Sequence, residues 1–251
     1  MGTLGPQDDP LFLQVAPERL RFQLELLDDA GFAFRTVADL LAEADGGTAP
    51  PGRFALSFDD GMQDNHAAAL PLLQELGVPA TFYIATGLVG APNPWLSPAS
   101  GARMMNALEL RELAAAGMEL GAHTVNHPDL AGLPYDACVD EIGRSRDQLE
   151  ELTGVRATTF AYPFGSFGPD ARRAACDLGF DAAVSANEFG VAGDRYAFPR
   201  SIIWGGDRAP SFVAKVAGVF EPAFHHPATQ VVRRATRGVR HGARAFLGRH
   251  G

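Results

Sequence analysis

Apolar positions recur along this chain at two different periods, and the switches between them mark its elements. Between Pro17 and Ala44, Leu20, Leu24, Leu27, Phe34, Val37, Leu40 and Leu41 fall at helical spacings that break at "DDAGF". That pattern predicts two helices, one on each side of the break. "RFALSF" (Arg53 to Phe58) reads as a strand, "NHAAALPLLQELG" as a helix closed by Gly77, and "PATFYIA" as a strand rich in β-branched and aromatic residues. The alternation continues through helix "NALELRELAAAG", strand "MELGAHT", the long amphipathic helix "YDACVDEIGRSRDQLEELTG", a strand in "TTFAYPFG", helix "PDARRAACDLG" and strand "FDAAVS". Strands separated by helices imply parallel pairing, as in an α/β barrel or a doubly wound sheet.

After Ser185 the pattern loosens. "SANEFGVAGDRYAFPR" reads as a loop, "SIIW" as a short strand and "SFVAKVAGVF" as a final core helix. Residues 1–16 form an N-terminal segment, residues 17–224 the barrel, and residues 225–251 a basic tail. In that tail Val232, Ala235, Val239, Ala243 and Phe246 share one helical face, while six arginines and no acid lie between Arg233 and Arg249. Such a face suits either a solvated extension or contact with an anionic membrane leaflet.

Composition narrows the class. Hydrophobic residues at 46% and charged residues at 20% support a folded core, and a length of 251 residues is ordinary for one α/β domain. A net charge of −9 argues against nucleic acid as a partner. Cys138 and Cys176 are not paired in a CxxC motif, and both are expected as small buried helix residues. No apolar run approaches the roughly 18 residues of a membrane span, and no export signal is visible, so the cytoplasm is the expected location.

The candidate chemistry sits where apolar strands end, because in parallel sheets the carboxyl ends of the strands face the ligand crevice. Asp59 and Asp60 stand there side by side in "FDDG". On its own this fits a solvated turn. As a site, it lets one carboxylate bind a cation while its neighbour faces a reacting water. "GAHTVNH" ends another strand and places His123 and His127 four apart. A carboxylate with two histidines leaves coordination positions open, the layout of a catalytic rather than a structural metal site. "AYPFG" ends a third strand, where Pro163 stiffens the turn and Gly165 would let a substrate approach a backbone N–H.

"FDDG", "HTVNH" and "AYPFG", in this order within the βα pattern, resemble the polysaccharide deacetylase family, the chitooligosaccharide deacetylase homology domain of carbohydrate esterase family 4. The likeness runs from about Pro17 to about Ile203. It implies a distorted (β/α)7 barrel in a single domain and a metal-dependent hydrolase that removes N-acetyl groups from N-acetylhexosamine units of a glycan. Carried over by position, Asp60, His123 and His127 are its metal ligands and Asp59 is its catalytic base. The backbone N–H of Phe164 is its oxyanion donor, at a position where tyrosine is usual. Thr124 either orders the loop between the histidines or merely ends the strand. The cation expected is a divalent metal, zinc by chemical default, with cobalt, nickel or manganese as alternatives.

The chain departs from the family at two points. Many members carry an arginine where this sequence has Ala161; Arg200 in "FPRSII" is expected either to supply that guanidinium from a neighbouring strand end or to form a plain surface ion pair. The usual "LxH" general acid is not evident, and His225 and His226 come too late to replace it. His66 reads as a helix-surface residue. Trp95 and Trp204 suit sugar stacking or rim packing equally. The family's first strand has "LFLQV" as its sole counterpart. Two other functions stay open at this level: a catalytically impaired glycan-binding scaffold, and an amidohydrolase acting on a non-sugar amide.

Overall fold

The computed structural model of the protein describes residues 14–44, 50–186 and 189–216. In chain order its elements are α1 (Pro17–Asp29), β1 (Ala33–Arg35), α2 (Val37–Glu43), β2 (Arg53–Ala55), β3 (Ser57–Phe58), α3 (Leu70–Leu76), β4 (Thr81–Ile84), α4 (Ala107–Ala115), β5 (Glu119–Ala122), α5 (Tyr135–Thr153), β6 (Thr159–Ala161), α6 (Pro169–Asp177), β7 (Ala182–Ala186), β8 (Phe198–Arg200) and α7 (Ala209–Val216). Every strand pairing is parallel: β1 pairs with β2, and β3 to β8 form one sheet in sequence order. Since β2 and β3 are a single run interrupted at Leu56, seven strand positions follow one another around an open, curled (β/α)7 half-barrel.

Alternation along the strands sorts the side chains into two layers. In β4, Phe82 and Ile84 face outward into a core with Leu73, Leu110 and Leu113. Tyr83, one residue out of phase, points inward with Ala161, Ala182 and Val184. Phe160 and Ala183 face outward onto α5 and α6, packing with Cys138, Ile142 and Ala174. Small inward residues at Gly121, Ala161 and Ala182 leave room for the Tyr83 ring. A Cβ at Gly121 would run into the Tyr83 ring.

The amino-terminal end of the barrel is closed by α2. Thr81 and Thr159 each donate a hydroxyl hydrogen bond to the Glu119 carboxylate (2.7 and 2.5 Å), and the Ala38 N–H donates to it as well (3.0 Å). Sealing one mouth with a satisfied carboxylate leaves the carboxyl end of the strands as the open face.

Several sequence expectations change. Phe34 belongs to β1 rather than to a helix, because the chain after Gly31 (φ 81°) is extended alongside β2. The last strand is Phe198–Arg200, and "SIIW" forms no strand, since pairing with β7 ends at Arg200. The helix after "FDDG" opens with a π turn, Asn65–Ala69, before α3. Cys138 is buried but Cys176 is exposed on α6. Leu11 to Leu13 of "LFLQV" and the whole tail 225–251, with His225 and His226, lie outside the described residues; Gln14 and Val15 precede α1 without regular structure. No helix among the described residues is long and apolar enough to cross a membrane.

Candidate active site

Strand parity accounts for most of the site. Ser57 and Asp59 continue the inward face of β3, Glu119, Gly121 and His123 that of β5, and Phe198 and Arg200 that of β8. Asp60 breaks the alternation: its φ of 76° ends the extended strand. Two neighbouring carboxylates that a strand would send to opposite faces therefore both reach the mouth of the barrel.

Asp60 Oδ1 lies 3.3 Å from His123 Nε2 and 3.1 Å from His127 Nε2. In a tetrahedral site with bonds of about 2.0–2.1 Å, neighbouring donors stand about 3.3 Å apart. The donor set thus matches a divalent cation in both chemistry and spacing, and Asp60, His123 and His127 form a group able to hold one. His123 Nδ1 is 2.7 Å from the Ala161 carbonyl oxygen. A carbonyl only accepts, so Nδ1 carries hydrogen and Nε2 is the atom turned to Asp60. Burial disfavours the charged ring of His123, but the hydrogen bond to Asp60 and the charges of Asp59 and Asp60 outweigh it and raise its pKa. Burial likewise works against ionised Asp60, yet the two histidines hold its carboxyl far below the usual range.

Asp59 is gripped from across the sheet. Arg200 Nη1 and Nη2 donate to Asp59 Oδ1 and Oδ2 at 2.7 and 2.8 Å, and Nη1 also donates to Ser57 Oγ at 2.8 Å. Desolvation pushes the Asp59 carboxyl up, but the Arg200 charge and hydrogen bonds win and lower its pKa, so it stays ionised at neutral pH. The Arg200 guanidinium carbon sits 5.2 Å from the Tyr83 ring centroid. Tyr83 and Ser57 were not singled out in the sequence; their place on the inward strand faces was the available signal.

The third strand end gives a tight turn. Phe164 has φ 59° and ψ 8°. The turn is closed by Gly165 N–H to Tyr162 O (2.8 Å) and Ser166 N–H to Pro163 O (3.1 Å), which leaves the Phe164 N–H out of the turn's own bonding. The Phe164 ring is half exposed and meets His127 edge-on at 4.7 Å, and Trp95 meets the same imidazole at 4.9 Å. Gly165 does not serve substrate approach: at φ 65° it faces Ala186 of β7, where any Cβ would collide with backbone. Thr124 orders its loop, its Oγ1 accepting from the His127 N–H at 3.0 Å. The backbone N–H of Trp204 donates to Asp207 Oδ2, and His66 Nε2 pairs with Glu112 (2.7 Å) rather than with the triad.

Among the described residues, the non-glycine positions with positive φ are Asp60, Thr124, His127 and Phe164. Backbone in this region costs of order 1–3 kcal/mol per residue and gathers at functional sites. Here all four belong to the three strand-end motifs.

The polysaccharide deacetylase family model matches residues 46–183. The chain belongs to the polysaccharide deacetylase family. The matched region contains the three strand-end motifs but ends before Arg200. The chain is 36% identical over 116 residues to a Bacillus gellan lyase, a stretch that is 46% of this chain and 4% of that protein. It is 25% identical over 205 residues to the poly-beta-1,6-N-acetyl-D-glucosamine N-deacetylase of Staphylococcus aureus, covering 75% of this chain and 67% of that one. Several curated relatives are much longer, and the chain spans about half of their length or far less. Among solved structures, the fold superposes on the Streptococcus pyogenes deacetylase PplD with a TM-score of 0.72 at 24% identity, over 85% of this chain and 93% of that one. For IcaB from Ammonifex degensii the TM-score is 0.66 at 23% identity, over 81% and 88%. Both structures share the fold of this chain.

Proposed function

We propose that this polysaccharide deacetylase homologue is a divalent-cation-dependent hydrolase that releases acetate from N-acetylhexosamine units of a glycan. The observation that carries the reading is the convergence of Asp60, His123 and His127 beside a second carboxylate, Asp59, clamped by Arg200 at the open end of the barrel. Family membership and the likeness to an N-acetylglucosamine polymer deacetylase support the substrate class.

A cation held by Asp60, His123 and His127 would supply Lewis acidity to the amide carbonyl and to a water, and zinc suits this donor set best, with cobalt, nickel or manganese as competitors. Asp59 takes a proton from the attacking water, a role open to it because Arg200 keeps it ionised. The Phe164 N–H donates to the carbonyl oxygen as negative charge grows there, and the left-handed turn fixes that donor in advance. Cleavage of the C–N bond leaves acetate and an amine; the proton on Asp59 is available to that amine, which removes the need for a histidine acid.

The test is acetate release from a panel of N-acetylated oligosaccharides by cation-loaded protein, with Asp59→Asn and His123→Ala alongside. Acetate from the wild type that falls about 10²-fold or more in both variants supports the assignment. Stoichiometric cation with no acetate from any glycan, but turnover of a non-sugar amide, would move the activity to that substrate class. With no turnover at all, a glycan-binding role would replace the enzyme.

A further inference from the structure

His123 and His127 are positioned by different means. The His123 ring is fixed directly, by its Nδ1–H on the Ala161 carbonyl. The His127 Nδ1 is buried without a hydrogen-bond partner among the described residues; beyond its Nε2 on Asp60 and the edge of the His123 ring, the imidazole meets the rings of Trp95 and Phe164. Among the described residues no hydrogen bond from outside the candidate cation site fixes this ring, so its placement rests on packing and on the main chain. That main chain is strained, with φ of 66° at Thr124 and 55° at His127.

Two jaws hold the strained loop. On one side the Thr86 and Gly87 N–H groups, just past β4, donate to the Thr124 and Val125 carbonyls at 3.1 and 2.9 Å. A Cβ at Gly87 would press on the Val125 carbonyl, so this approach requires glycine. On the other side Glu141, projecting from α5, accepts from the Val125 and Asn126 N–H groups through Oε2 (3.0 and 2.9 Å) and from Asn126 Nδ2 through Oε1 (2.7 Å). The carbonyls of the loop are thus fixed from β4 and its amides from α5. Charge-assisted bonds of this kind are roughly twice as strong as neutral ones, which suits a carboxylate to stabilising two left-handed residues.

We propose that Glu141 is a positioning residue for the cation site: it holds the Thr124 to His127 loop so that the His127 imidazole meets Asp60 and His123. This rests on the cation reading given above. Glu141 reaches no imidazole of the site and acts through the backbone of the loop and the Asn126 side chain.

The test measures the affinity of the full chain for Zn²⁺ and Co²⁺ by competition with a chromogenic chelator, in wild type, Glu141→Ala, Glu141→Gln and His127→Ala. Amide hydrogen exchange at Val125 and Asn126 and the melting temperature of each cation-free protein are recorded alongside. Removing such an outlying partner typically weakens affinity about 10–100-fold, and Glu141→Ala is expected to do so with faster exchange at both amides. Glu141→Gln is expected to recover most of the affinity, because its Oε1 can accept from the two backbone N–H groups while the Asn126 amide turns over to accept from the new NH₂. Affinity of Glu141→Ala within about threefold of wild type would overturn the assignment, as would loss in Ala and Gln that follows the melting temperature without faster exchange in the loop. A wild-type chain that binds neither cation overturns the cation reading itself, a result distinguishable from failure of the Glu141 role alone.

Discussion

Arg200, the last residue of β8, holds Asp59, at the end of β3, through two parallel hydrogen bonds of 2.7 and 2.8 Å. The two lie at opposite edges of the six-stranded sheet. Among the described residues no strand pairing joins these edges of the curled sheet, and this ion pair spans the gap in its place. One contact therefore both draws the open barrel together and sets the charge of the candidate base.

Replacement of Arg200 separates these roles. Arg200→Met leaves a largely buried carboxylate without its partner, and activity is expected to fall about 10²-fold or more, with the pH at which activity appears moving upward as Asp59 loses the charge that keeps it ionised. Arg200→Lys restores a charge but not the planar fork, so it should recover part of the activity. A pH–rate profile of the three proteins checks this; an unchanged acid limb in Arg200→Met would remove Arg200 from the mechanism.

Tyr83 should matter as a ring rather than as a phenol. It is fully buried between Gly121 and the Arg200 guanidinium. Tyr83→Phe keeps the cation–π contact, so kcat/KM within about threefold of wild type is expected. Tyr83→Ala opens a cavity beneath Arg200 and should cost about 3–5 kcal/mol of stability. Urea unfolding of both variants measures the difference.

The segment leading to β8 is pinned by Arg172 and Asp194, at 2.6 and 2.8 Å. The hydrogen bond from Arg172 is the largest influence on the Asp194 carboxyl and lowers its pKa. A carboxyl depressed on folding contributes stability above its unfolded pKa, about 3.9, and that contribution is lost as the pH falls through the folded value. Asp194→Asn should accordingly melt below wild type at pH 7, with the gap closing as the pH drops below about 4. A gap that stays constant from pH 7 to 3 would contradict the pairing.

Cation binding should show as stability. With free cation at about 100 times Kd, binding to the native state adds about 2.7 kcal/mol, or about 5–10 °C in Tm for a domain of this size. Chelation of the wild type should remove that increment, and His127→Ala should show no response to chelator. Differential scanning calorimetry with and without chelator reads both.

Much of the site was legible because its chemistry is local. "FDDG" and "HTVNH" carry their candidate donors within a few residues, and a strand ending in such a motif must present it at the barrel mouth. Asp60, His123 and His127 accordingly meet as expected. Phe34 was misplaced because a three-residue strand between two helices has too few residues to express a period of two against the helical pattern around it. Gly165 was misread because the atom that excludes a side chain there belongs to Ala186, on the neighbouring strand.

By itself the sequence determined the alternation of strands and helices between Arg53 and Ser185, the three motifs at strand ends and the family, since each depends on residues near one another in the chain. Only the tertiary structure decided between an ion pair with Asp59 and a surface role for Arg200, since 141 residues separate the pair and their meeting depends on how far the sheet curls. It alone also brought Tyr83 beneath Arg200 and Glu141 against the histidine loop. These contacts depend on the relative placement of packed elements, which the local periods do not encode.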